Sequence, residues 1–219
     1  MKTIEGKVVV LGSQGVGKTS LIDRYVNKSF NYPINSTIGA SFFTCNMNLN
    51  DARVKFQVWD TAGQERFKSM APMYYRNANA AFLVFDITQA QTFTAVKSWV
   101  TELKANVEET MVLILIGNKL DLVDKREVDF EDCRKYAESI GASYHEISAL
   151  HDEGVDQVFL ATGVGLYKLS NGEKDVLTSL RVYDSNSSGI SDYDIPLSEE
   201  VLVNQSIAHG IREKPYFCC

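Results

Sequence analysis

The chain has 219 residues, enough for one domain with a surplus or for two small domains. Apolar residues make up 45% and charged residues 23%, which excludes a largely disordered or fibrous chain. A net charge of −6, from 22 basic and 28 acidic side chains, gives no electrostatic reason to expect a nucleic-acid backbone as partner.

The longest apolar runs, Ala80–Phe85 and Met111–Ile116, fall far short of the roughly 20 residues that cross a bilayer. Glu5, Gly6 and Lys7 interrupt the N-terminus before a signal-peptide core can build up. The four cysteines, Cys45, Cys133, Cys218 and Cys219, are too few and too unevenly spaced for a disulfide framework. A reducing, cytosolic compartment is expected.

In chain order, Lys7–Leu11 is a continuous apolar run, as a strand covered on both faces should be. It feeds a glycine-rich turn and the helical stretch Ser20–Asn27. Segments 42–48 and 54–60 face each other across Asn48–Arg53, whose Asn50-Asp51 pair reads as a hairpin turn. Phe82–Asp86 and Val112–Gly117 are further apolar strands, each followed by a helical-length segment. Phe130–Ile140 reads as a helix that stops at Gly141, and Ala142–Ile147 as a last strand. The expected fold is α/β: a six-stranded, mostly parallel sheet with one antiparallel edge strand and about five helices, within residues 1–168. Residues 169–219 read as a flexible tail, because periodicity fades there and turn formers gather. Between 170 and 217 it has four basic side chains against eight acidic ones, net −4. Short elements around Val176–Tyr183 or Glu199–Val203 are the alternative.

Three stretches carry chemistry. The first is Gly12-Ser-Gln-Gly-Val-Gly17-Lys18-Thr19, between a strand and a helix. Such a loop turns consecutive backbone N–H groups inward, the helix N-terminus adds partial positive charge, and the lysine reaches terminal phosphates. Gln14, Gly15, Val16, Gly17, Lys18, Thr19 and Ser20 are the candidate phosphate-binding residues. The second is Trp59-Asp60-Thr61-Ala62-Gly63-Gln64 at the end of a strand. Asp60 there would hold Mg²⁺ through water while the Thr19 hydroxyl ligates it directly. Gly63 lets a backbone N–H approach the γ-phosphate, and Gln64 is the candidate catalytic residue that orients water for in-line attack. The third is Asn118-Lys119-Leu-Asp121. A carboxylate here accepts two hydrogen bonds from guanine, whereas adenine would leave it charged and unpaired, so the site selects GTP. Loss of such a bond costs about 2–3 kcal/mol, or about two orders of magnitude in affinity.

The ordered set of phosphate loop, Thr37, WDTAGQE stretch, NKLD stretch and Ser148-Ala149 resembles the Ras-like small GTPases over residues 5–168. Ile38-Gly39-Ala40-Ser41-Phe42, the run Ala71-Pro72-Met73-Tyr74-Tyr75-Arg76 and the terminal Cys218-Cys219 resemble the Rab branch, and the switch strings resemble its endosomal subgroup. The resemblance implies a P-loop small G-protein fold that cycles between GDP and GTP, with Mg²⁺ as cofactor and GTP hydrolysis as activity. It implies that Thr37 caps Mg²⁺ and the γ-phosphate only with GTP bound, so that segments 31–42 and 61–76 are switches. Phe30 resembles the aromatic that packs on the guanine, with an ordinary core phenylalanine as the other reading. Lys119, Ser148, Ala149 and Leu150 fall at guanine-site positions. Ile38, Gly39, Phe42, Trp59 and Tyr74 fall where Rabs present their state to effectors, although Trp59 also suits the core.

The implied partners are a nucleotide exchange factor, a GTPase-activating protein, a GDP dissociation inhibitor, an escort protein with geranylgeranyl transferase, and GTP-dependent effectors. No nucleic acid is expected, and the chain is expected to be monomeric. No internal arginine finger is evident, so a partner must supply that charge. Cys218 and Cys219 imply double geranylgeranylation, which anchors stably where one chain does not. The acidic tail lacks a polybasic second signal. The expected location is the cytosol and the cytoplasmic face of endosomal or vesicle membranes.

Two departures stand out. Gln14 occupies a position where many relatives have a smaller residue, and crowding of the γ-phosphate there predicts slow intrinsic hydrolysis. Leu150 stands where the family has lysine, which predicts faster nucleotide release. A nucleotide-binding scaffold with little hydrolysis is the alternative function; a P-loop ATP-driven enzyme would gain nothing from Asn118 and Asp121. His145 and His151 lack metal-ligand spacing and read as solvent-facing or turn histidines.

Overall fold

A computed structural model describes residues 2–30, 36–49, 52–64, 70–107 and 110–172. Strand β1 (Lys2–Leu11) leads to helix α1 (Lys18–Asn27), the strands β2 (Ala40–Leu49) and β3 (Ala52–Thr61), and the short helix α2 (Ala71–Tyr75). Strand β4 (Ala80–Asp86), helix α3 (Ala90–Asn106) and strand β5 (Val112–Asn118) follow. A 3-10 turn (Leu120–Lys125), helix α4 (Phe130–Ile140), strand β6 (Ser143–Ile147) and helix α5 (Val155–Ser170) complete the order.

The strands form one sheet in the order β2-β3-β1-β4-β5-β6. All neighbours are parallel except β2 against β3, so the expected antiparallel edge is β2. Its register places Leu49 opposite Ala52 and Phe42 opposite Trp59; the Asn50-Asp51 turn itself lies outside the described residues. β4 is buried along its whole length, as its unbroken apolar run requires.

β1 begins at Lys2, five residues before the expected start, because Lys2–Gly6 pairs in register with Ala52–Phe56. Thr3 and Glu5 are exposed while Ile4 and Gly6 are buried, so this half of the strand has only one covered face and shows no apolar run. α4 has the expected bounds. Asp129 caps it by accepting hydrogen bonds from the N–H groups of Glu131 and Asp132, and Gly141 ends it at φ 70°.

Alternate residues of each strand face opposite cores. Val8, Val10, Phe56, Phe82 and Ile114 pack against α1 and α5. Val9, Leu11, Leu83, Phe85 and Leu115 pack against α2, α3 and α4. On the first side Phe159 of α5 stacks on Tyr25 of α1 at 3.5 Å and meets Phe56 and Phe82 edge-on. The order reverses at β1: β3 lies on one side of it and β4 on the other. The carboxyl ends of these strands therefore frame the crevice in which such sheets bind ligands.

α5 runs to Ser170, two residues past the expected domain edge. The tail from 173, with Cys218 and Cys219, lies outside the described residues, as do 31–35 and 65–69 of the expected switch segments. No described helix is long and apolar enough to cross a membrane.

Candidate functional site

The loop leaving β1 wraps back on itself before α1. Gly17 caps α1 at φ 92°, a left-handed conformation disfavoured for side-chain-bearing residues, and a Cβ there would collide with the Asn118 amide. The Lys18 ammonium is buried under the loop and donates to the Gly12 and Ser13 carbonyls at 2.8 Å each. Burial lowers its pKa to about 8, against the opposing pull of Asp60. Gly63 presses against this loop so closely that a Cβ would run into the Lys18 ammonium and the Ser13-Gln14 backbone. The Ala62 N–H donates to the Gly39 carbonyl at 2.8 Å, tying the two expected switch segments together.

Thr19 starts the next layer. Its hydroxyl donates to Asp60 Oδ2 at 2.6 Å and lies 2.7 Å from the Thr37 hydroxyl. Asp60 is fully buried, and its Oδ1 has no hydrogen-bond partner among the described residues. Burial pushes its pKa up to about 6, with the Thr19 hydrogen bond and the Lys18 charge pulling the other way. A buried carboxylate with one bare oxygen, beside two hydroxyls, is a hard-oxygen donor set of the type Mg²⁺ takes. Thr19, Thr37 and Asp60 thus meet at one point, from α1, the segment before β2, and the end of β3.

Asn118 ends β5 and is buried. Its amide donates to the Val16 carbonyl at 2.8 Å, and its Oδ1 accepts the Ala149 N–H at 3.2 Å, joining the phosphate loop to the loop after β6. Lys119 is left-handed at φ 71° and pairs with the buried Asp86 carboxylate at 2.7 Å. Asp121 accepts the Ser148 hydroxyl at 2.6 Å, and the Ser148 oxygen accepts the His151 N–H. Phe30 lines the same cleft as Lys119, Asp121 and Leu150.

These parts enclose a cleft of about 440 Å³. Most of the expected binding residues line it, Gln64 among them. Val16, Asp60 and Ser148 stand behind the lining and hold Asn118, Thr19 and Asp121 respectively. Gln14 lines the cleft, and its side-chain amide donates to the hydroxyl of Ser36, another lining residue, at 2.8 Å. The three aromatics expected at the effector surface also converge: Phe42 meets Trp59 at 5.3 Å, and Trp59 meets Tyr74 at 6.1 Å. Trp59 is half-buried with the Lys7 ammonium 5.2 Å above its ring, so it is neither a core residue nor a free anchor. Ile38 is 80% exposed and Met73 70%.

One reading is corrected. His151 sits exposed in a turn as expected, but His145 is largely enclosed on β6, its Nε2 without a partner among the described residues. Its register opposite Ile116 puts it on the face covered by α5. Sequence reading also missed Arg24, Ser36 and Asp86. Arg24 and Asp86 act on residues far away in the chain, so no local spacing marks them; Asp86 alone left a trace, as an acid closing an apolar strand.

The sequence matches the profile of the Ras family over residues 7–167. It is 51% identical to the Ras-related protein RabJ of Dictyostelium discoideum over 161 residues, 74% of this chain and 63% of that protein. This chain therefore spans just under two thirds of RabJ. It is 49% identical to the Ras-related protein RABF2b of Arabidopsis thaliana, across 72% of this chain and 79% of the relative. With the Ras-related protein Rab5 of Nicotiana tabacum it shares 47% identity, over 71% and 78% respectively.

Proposed function

The chain belongs to the Ras family, among the Rab-type small GTPases that hydrolyse GTP to GDP, and on that footing we propose that it is a GTP-dependent recruiter of effectors in endosomal vesicle traffic. The observation that carries this reading is the meeting of Thr37 with Thr19 at 2.7 Å, beside the half-unpartnered Asp60. It makes the conformation of an exposed segment depend on what occupies the phosphate site.

In this reading the phosphate loop and Lys18 bind the triphosphate, and Asp121, held by Ser148, selects guanine. Thr19 and Thr37 hold Mg²⁺ with Asp60 behind them; the ion, when bound, neutralises charge on the transferring phosphoryl group. Gly63 offers its N–H to the γ-phosphate and Gln64 orients the attacking water. Ordering of the segments through Thr37 and Gly63 presents Ile38, Gly39, Phe42, Trp59 and Tyr74 as one apolar surface. With no arginine aimed into the site from the described residues, intrinsic hydrolysis is slow, and a GTPase-activating protein speeds it. An exchange factor, a GDP dissociation inhibitor and an escort protein with its prenyl transferase complete the cycle, with Cys218 and Cys219 as the lipid attachment points.

The test is calorimetric titration of the nucleotide-free chain with GTP and ATP in Mg²⁺, with hydrogen exchange of the 36–42 and 61–76 segments in GDP and in a non-hydrolysable GTP analogue. A guanine preference of at least about 100-fold and slower exchange in the triphosphate form are expected. Equal binding of the two bases, or identical exchange, would refute the reading.

A further inference from the structure

Leu150 poses a question the nucleotide site does not answer by itself: what holds the loop after β6 against the base, when the position expected to carry a lysine does not? Arg24, in the last turn of α1, reaches that loop. Its Nε donates to the Ala149 carbonyl at 2.8 Å and its Nη2 to the Leu150 carbonyl at 2.7 Å. Nη1 points to the Lys28 carbonyl at 3.4 Å, where α1 ends, and the guanidinium lies 5.9 Å from the centre of the Phe30 ring. One partly buried side chain therefore touches both candidate walls of the base site.

We propose that Arg24 is the positioning residue of the guanine site: it sets the Ser148–Leu150 loop and Phe30 against the base. The two carbonyls belong to adjacent residues and are met by two donors of one planar fork, which lysine, a compact point charge, does not reproduce. Ser148, one residue before the gripped carbonyls, holds the Asp121 carboxylate at 2.6 Å. Displacement of the loop thus loosens Asp121 without touching it. The same helix begins with Lys18 and Thr19 at the phosphate end, and six residues of helix span about 9 Å. A single rigid rod fixes the separation of the two ends of the ligand site. No recognition motif marks Arg24, because its partners are 125 and 126 positions away.

The inference rests on the guanine reading above, and the experiment separates the two. Full-length wild type, Arg24→Lys and Arg24→Gln are compared for mant-GDP release, for affinity toward GDP and inosine diphosphate, and for melting temperature. Inosine lacks the exocyclic amino group that Asp121 would bind, so the ratio of the two affinities reports Asp121 placement. Arg24→Lys is expected to release mant-GDP about tenfold faster and to lower the GDP-to-inosine-diphosphate ratio several-fold. Arg24→Gln, shorter and uncharged with a single amide donor, should release mant-GDP at least as fast as Arg24→Lys. A substitution that merely loosened the fold would weaken both nucleotides equally and leave the ratio alone. An unchanged ratio in both variants, with guanine-selective wild type, overturns the role of Arg24. Wild type that binds inosine diphosphate and GDP equally overturns the guanine reading itself.

Discussion

At the scale of single residues, the phosphate side of the site is a set of groups held against their solution preferences. Lys18 is buried with carbonyls as its contacts, and Asp60 is buried with one oxygen bare; both are arrangements that an anion and a cation would relieve. Gln14 offers a different lesson. Its bond to Ser36 adds to crowding a tether between the phosphate loop and the segment carrying Thr37. Gln14→Gly removes both effects, and single-turnover hydrolysis should rise several-fold; slower or unchanged turnover would end the idea that Gln14 restrains catalysis. His145 gives a pH prediction. Burial lowers its pKa from 6.5 to about 4, so the unfolded chain takes up a proton that the native chain refuses. Stability from this group is present above about pH 6.5 and is lost as the pH falls toward 4, by up to ~3 kcal/mol. Asp60, raised from 3.8 to about 6, works the opposite way in the nucleotide-free chain, favouring folding below pH 4 and losing that contribution by pH 6. Urea titrations of wild type and His145→Phe at pH 7 and pH 5 separate the two, because only the His145 contribution differs. The variant should gain on wild type at the lower pH, and a constant difference would show that His145 does not resist protonation.

At the scale of elements, two contacts position the ligand site. α5 lies close on the sheet because its inner face carries Gly163 and Gly165; a Cβ at Gly165 would press into the Val112 side chain of β5 at 2.8 Å, backed by the buried strand. Gly165→Ala must push α5 outward, and a loss of about 1–3 kcal/mol is expected from overpacking, read as a lower urea midpoint. The gain in helix propensity, under about 1 kcal/mol, is the smaller term. On the other face, Arg126 after the 3-10 turn makes a two-pronged pair with Glu146 of β6, 2.7 Å at each prong, and the Tyr144 hydroxyl also donates to Glu146. The Glu146 pairing holds the Arg126 pKa above its ordinary value. This clasp joins the segments that carry Asp121 and Ser148. Arg126→Ala leaves Glu146 a nearly enclosed charge, at a cost of about 2 kcal/mol, and a variant as stable as wild type in denaturant titration would show that the clasp contributes no stability.

At the scale of the whole molecule, one six-stranded sheet carries the two segments that meet at the cleft. Thr37 meets Thr19 and Gly63 presses on Ser13–Gln14, and the Ala62 to Gly39 hydrogen bond joins the two segments, so under the proposed function they would respond together. Under the proposed function, lipid attachment at Cys218 and Cys219 would be a separate device. Removal of Cys218 and Cys219 should abolish membrane association in fractionation while nucleotide affinity and melting temperature stay as in wild type. Persistence on membranes would assign the anchor elsewhere.

The glycine-rich loop, the acid ending β3 and the Asn118-to-Asp121 stretch, which the structure brings together around one cleft, stood out from residues alone because each is written in a few consecutive positions at the end of one element. The strands with continuous apolar runs and α4 with its Gly141 stop were legible for the same reason: their signals are local. The outer half of β1 was not, since a strand with one covered face alternates polar and apolar residues and makes no run. Only the folded chain decided that Gln14 turns to Ser36, that His145 is enclosed, and that Arg24 reaches Ala149 and Leu150. Each of these depends on which distant element packs against the residue, and sheet order and helix placement settle that, not the spacing of neighbours along the chain.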